Sequence, residues 1–82
     1  MVRLKRHYDD AQKLRYEAGP PDERSFGFRA RQGGIRVVFD DDIRTTLAAQ
    51  EAIDRIEELG YVFEGVDFEE RFVQFRAVED ER

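Results

Sequence analysis

Few side chains in this sequence could do covalent chemistry, and their spacing does not bring them together. The chain has 82 residues, with no cysteine, one histidine (His7) and one serine (Ser25). A serine or thiol nucleophile needs a base within hydrogen-bond reach, and no such pair is recognisable. The densest reactive cluster is Asp40-Asp41-Asp42, directly after the apolar run Ile35 to Phe39. Its carboxylates could hold Mg²⁺ or Ca²⁺, but neither the spacing of a cation-binding loop nor a second ligand cluster supports such a site. Three acids ahead of a helix are also what the positive end of the helix dipole attracts. His7 falls on the apolar side of a helix, where a packed, hydrogen-bonded histidine is expected. The sequence therefore predicts no catalytic residue, no metal, no cofactor and a chain that is not an enzyme.

The elements that would position these residues are legible from periodicity. Leu4, His7, Tyr8, Ala11, Leu14 and Ala18 fall on one side at helical spacing, and Gly19-Pro20-Pro21 stops the run, so a helix is expected over 4–18. The competing reading is a hairpin, because Leu14, Tyr16 and Ala18 also alternate. Phe26, Phe28 and Ala30 alternate with Ser25, Gly27 and Arg29. After the turn signal Gln32-Gly33-Gly34, Ile35, Val37 and Phe39 continue the alternation, which predicts a hairpin over 25–39. A second helix is expected over 43–59, with Thr45, Ala48, Ala49, Ala52, Ile53, Ile56 and Leu59 on one face. Gly60 stands at its left-handed C-terminal cap, and Asp42, Thr45 and Thr46 are all acceptable N-caps. Runs at 61–66 and 71–78 read as a second hairpin.

This order, α-β-β-α-β-β, predicts an α+β two-layer sandwich: a four-stranded antiparallel sheet with two helices on one face. A short strand at Val2–Leu4 would make it the ferredoxin-like split β-α-β; without one it is a permuted relative. The two halves, each a helix and a hairpin, suggest an architectural repeat. Residues 1–82 are read as a single domain.

Composition limits what that domain can be. Charged residues are 40% of the chain, a level that can signal disorder, but the alternating aromatics argue for a folded core. No run approaches the length of about 20 apolar residues that a membrane span needs. No apolar stretch follows the basic residues of Met1 to Arg6, so no secretory signal is expected, and a cytoplasmic chain with no membrane partner is. Net charge is −5, yet residues 1–38 hold nine bases against five acids and residues 39–82 five against fourteen. The fold can either keep this dipole or interleave it away.

Alternation also predicts two sheet faces. If Phe26, Phe28, Ile35, Val37, Phe39, Tyr61, Phe63, Val73 and Phe75 face the helices, the other face carries Arg29, Arg36, Val38, Val62, Val66, Phe72, Arg76 and Val78. A surface mixing Arg, Phe and Val has the composition of an interface. Arg29, Arg36, Val38, Phe72 and Arg76 are the candidate binding residues, with Phe72 and Val38 expected to stay open. Ile43 and Leu47 are expected off the core side of the second helix.

Two family resemblances bear on these residues. An apolar strand ending in Asp40-Asp41-Asp42 resembles the motif of haloacid dehalogenase-type phosphatases, where the first Asp attacks phosphorus and the second is acid and base. Here Ile43 and Arg44 replace the family's residues, and the chain is too short for its parallel sheet. Arg24 to Arg31 resembles the ribonucleoprotein octapeptide of RNA-recognition motifs, departing from it at Ser25, Arg29 and Arg31. In a second alignment Gly33, Val37 to Asp41, Ala49 to Ile53 and Gly60 to Gly65 resemble that family's third strand, second helix and fourth strand. Its base-stacking aromatics then become Gly34 and Arg36. The expected function is a non-enzymatic binding module, an adaptor or inhibitor, whose partner is another copy or a protein with a basic patch. An acidic inhibitor of a nucleic-acid-binding protein or defence nuclease fits that class. The alternative is RNA or single-stranded DNA binding through Arg29, Arg36, Arg76 and Phe72.

Overall fold

A computed structural model describes residues 2–20, 22, 24–40, 43 and 46–78, with side chains from Lys5 onward. Helix α1 (Val2–Ala18) is followed by strands β1 (Phe26–Arg31) and β2 (Gly34–Phe39), helix α2 (Leu47–Glu58), and strands β3 (Tyr61–Asp67) and β4 (Phe72–Ala77). The strands form one antiparallel sheet in the order β1-β2-β4-β3, which confirms the α-β-β-α-β-β sandwich. Residues Val2 to Leu4 belong to α1 rather than to a strand. The sheet order is then the one produced by moving the first strand of the split β-α-β fold to the chain's end. It also relates the two helix–hairpin halves by an approximate twofold, with the β2–β4 seam between them.

Local chemistry sets the boundaries. Gly19 and Gly60, which follow the two helices, adopt positive φ, the conformation that closes a helix C-terminus without a Cβ penalty. Helix α2 begins at Leu47, later than its periodicity predicts, because the Thr46 hydroxyl accepts from the Ala49 amide at 3.0 Å and caps it there. The rival caps Asp42 and Thr45 lie outside the described residues. The β3–β4 turn closes with Arg71 in the left-handed region and the Glu70 amide donating to the Asp67 carboxylate, the pattern of a four-residue hairpin loop.

Both helices pack on one sheet face. Leu14 and Ala11 of α1 and Ala49 and Ile56 of α2 share a single cluster with the inward residues of all four strands. Leu14, Ile35, Ile56 and Phe75 are at most 1% exposed. Each such side chain contributes about 1.5–3 kcal/mol over an exposed one.

Three expectations about facing need correction. Tyr8 and Ala48 fall on the predicted apolar sides yet are exposed, since neither helix is covered across that width. Ile43 packs against the core, whereas Leu47 is exposed as expected. Val66 faces the helix side, opposite Val73, because a bulge between Phe63 and Gly65 inserts Glu64 and reverses the alternation. One extra residue moves everything beyond it to the other face.

Candidate binding surfaces

Strand register arranges the outer sheet face as a grid. One row reads Arg31, Gly34, Arg76 and Val62; the next reads Arg29, Arg36, Gln74 and Gly65; the third reads Gly27, Val38, Phe72 and Asp67. All five predicted binding residues, Arg29, Arg36, Val38, Phe72 and Arg76, therefore stand on one face, and Arg31 joins them. Arg29 and Arg76 are exposed, while Arg36, Val38 and Phe72 are half-buried. Phe72 is less open than its position suggests. The Arg36 guanidinium lies over its ring at 3.7 Å from the centroid and donates to the Gln74 amide oxygen at 3.0 Å.

Among the described residues, none of Arg29, Arg31, Arg36 and Arg76 forms an ion pair with a carboxylate. Burial lowers the Arg36 pKa, as does the positive charge of Arg31 and, less, of Arg29; Asp67 and Glu70 act the other way. A guanidinium remains charged through such a shift. The arginines repel one another, and an anion docked here relieves that repulsion. Asp67 is the one carboxylate among the residues of these three rows.

The second surface lies on the helix side. An apolar groove runs between α2 and the β3–β4 hairpin, lined by Ile53, Phe63, Val66, Phe68 and Phe75, with Glu57 on its wall. Phe63, Val66 and Phe68 are 57%, 40% and 74% exposed. From Ile56 to Glu70 the chain carries six carboxylates and no base. Sequence reading did not find this groove. The only signal for it was Gly65 within a strand, a hint of the bulge that aligns these side chains.

The single histidine and the tyrosine bonded to it are closed off from solvent. His7 and Tyr61 are each 1% exposed. The Tyr61 hydroxyl donates to the Asp10 carboxylate at 2.7 Å, and lies 2.8 Å from His7 Nδ1, which must then carry the proton. Arg6 spans the edge of this network, 3.5 Å from Asp10 and donating to the Leu59 carbonyl at 3.0 Å. Burial and the bond to Asp10 push the Tyr61 pKa up. This chain of bonds ties α1 to the start of β3. Asp40 is exposed, and Asp41 and Asp42 lie outside the described residues. Among the described residues no cluster of three metal-ligating side chains occurs, and no helix is long and apolar enough to cross a membrane.

Comparison with protein families, curated proteins and solved structures finds no significant match to this chain. Any functional reading rests on the surfaces themselves.

Proposed function

We propose that the chain is a non-enzymatic adaptor that docks a protein partner's acidic surface on its outer sheet face. The observation that supports this reading is the group of four arginines, Arg29, Arg31, Arg36 and Arg76, on one sheet face, none of them ion-paired to a carboxylate among the described residues. Arginine in a fixed frame recognises carboxylates through paired hydrogen bonds. Arg36 is already oriented by Phe72 and Gln74, so less entropy is lost when it binds. Sheet-against-sheet pairing of two copies is disfavoured on this face, since it sets arginine against arginine.

Nucleic-acid binding is the second reading, favoured by the same four cations. It is the weaker because single-strand recognition stacks bases on free aromatic rings. The one aromatic on this face, Phe72, is covered by Arg36.

Arg29→Glu/Arg76→Glu tests the proposal without touching the Arg36–Phe72 stack. A partner captured from native extract should survive nuclease treatment and bind the variant at least about tenfold more weakly, a loss of about 1.4 kcal/mol. A purified chain with a nucleic-acid-like ultraviolet absorbance ratio, and steeply salt-dependent oligonucleotide binding, would move the assignment to the second reading. A partner held equally by the variant would remove the arginine face from the account.

A further inference from the structure

We propose that edge strand β3 and the groove beside it take an extended, cationic segment of a partner protein, which joins the sheet as a fifth strand. The site is separate from the arginine face and does not depend on it.

β3 has one neighbour, β4, so the backbone groups along its other side are unpaired within the sheet. Such an edge is a template for strand addition, and proteins usually blunt it with charge, a bulge or a covering element. Here the bulge turns Phe63 and Val66 to the same side, and α2 stops short of covering them. An added strand would run beside these residues, and its alternate side chains would point into the groove over Ile53 and Phe68.

Charge defines which strand. The groove wall holds Glu57, and Glu64 stands on the edge strand at the bulge, within a stretch, Ile56 to Glu70, that has no base. An occupant with apolar residues on one side and Lys or Arg on the other meets both requirements. A second copy does not. Two β3 edges would bring acid against acid. The basic β1 edge of another copy has no apolar side chain to offer, because Phe26 and Phe28 are already buried beneath its own α1.

The probes are two short synthetic peptides, one alternating lysine and valine, the other alternating glutamate and valine. Each is titrated into the whole chain while backbone amide resonances are followed. The lysine peptide should shift the amides of residues 61–67 and slow their hydrogen exchange. It should bind Phe63→Ala/Phe68→Ala at least about tenfold more weakly, and Arg29→Glu/Arg76→Glu no more weakly than the wild type. Both residues replaced in the first variant are exposed, so its fold should persist, which the unchanged resonances of β1 and β2 would verify. Equal binding of the glutamate peptide, shifts confined to the outer face, no binding of the lysine peptide at millimolar concentration, or self-association through β3 would each overturn the proposal.

Discussion

In the first helix–hairpin unit α1 overlies β1 so fully that Phe26 and Phe28 are 4% and 3% exposed. In the second unit Phe63 and Val66, on the same inward side of β3, remain 57% and 40% exposed. The strands carry similar aromatic and aliphatic residues; the helices differ. α1 has 17 residues against 12 in α2. Toward the sheet α1 presents Ala11, Leu14 and Ala18 and α2 presents Ala49, Ala52, Ile53 and Ile56, so the cover differs with helix length rather than with side-chain size. Alternation decides which way a side chain points, but the covering helix decides whether it is buried. Charge follows the same division: the covered half carries the basic excess and the uncovered half the acidic one.

The largest test of this difference removes one aromatic from each half. Phe28→Ala should cost about 3–5 kcal/mol, the usual penalty for emptying a packed aromatic site. A domain of this size has little stability to spare. Phe63→Ala removes a ring that is already mostly in water and should change stability by under ~1 kcal/mol. Denaturant midpoints of the two variants measure the contrast directly, and similar losses would show that the β3 groove is closed in solution.

The seam between the halves gives the next effect. Gly34 of β2 faces Arg76 of β4, and a Cβ built there would stand 1.9 Å from the Phe75 carbonyl oxygen. Backbone cannot yield as a flexible side chain does, so Gly34→Ala should cost about 1–3 kcal/mol, the range for overpacking. Amide exchange should rise at β2 and β4 together. A variant of native stability would mean that the strands separate there without cost.

Much of this architecture was legible in the sequence. Strict alternation in Phe26 to Phe39 fixed two strands and their inward side, and the same rule placed Arg29, Arg36 and Arg76 on one outer face. What it could not supply was anything that depends on a partner element. The stacking of Arg36 on Phe72 follows from a diagonal across β2 and β4 that only register defines. Val66 was misplaced because a bulge adds one residue without changing local composition. The start of α2 was ambiguous because several good caps stand within five residues, and capping energies of about 1 kcal/mol do not separate them.

A third comparison concerns the buried polar link between the halves, from His7 and Asp10 on α1 to Tyr61 on β3. Tyr61→Phe keeps the ring and leaves the Asp10 and His7 groups without the hydroxyl, at an expected cost of about 1–3 kcal/mol. The pH dependence has a definite sign. The folded pKa of Tyr61 is raised above its ordinary value of 10.0, so the hydroxyl's contribution is complete below that pH. It is lost as pH rises toward the folded pKa, because only the unfolded chain ionises there. The wild type should therefore lose thermal midpoint faster than Tyr61→Phe above pH 10, and parallel curves would rule out a buried, protonated hydroxyl.

The smallest effect belongs to the exposed link between the two helices. Arg55 of α2 donates to both carboxylate oxygens of Glu17 on α1, at 2.8 and 3.1 Å, and this bond, with the charge of Arg55, holds the Glu17 pKa below its usual 4.5. A depressed carboxylate pKa stabilises the fold above the unfolded value, and the contribution fades as pH falls from about 4.5 through the folded pKa. Both side chains are 38% exposed, so water and salt screen the pair, and long side chains lose freedom in holding it. Glu17→Gln should lower the thermal midpoint slightly at neutral pH and low salt, and by less in molar salt. Well below pH 4 the variant should match the wild type, since neither then carries a charge at residue 17. A larger loss than that of Tyr61→Phe, or one indifferent to salt, would mean that the two halves are joined at this surface pair rather than through the buried network.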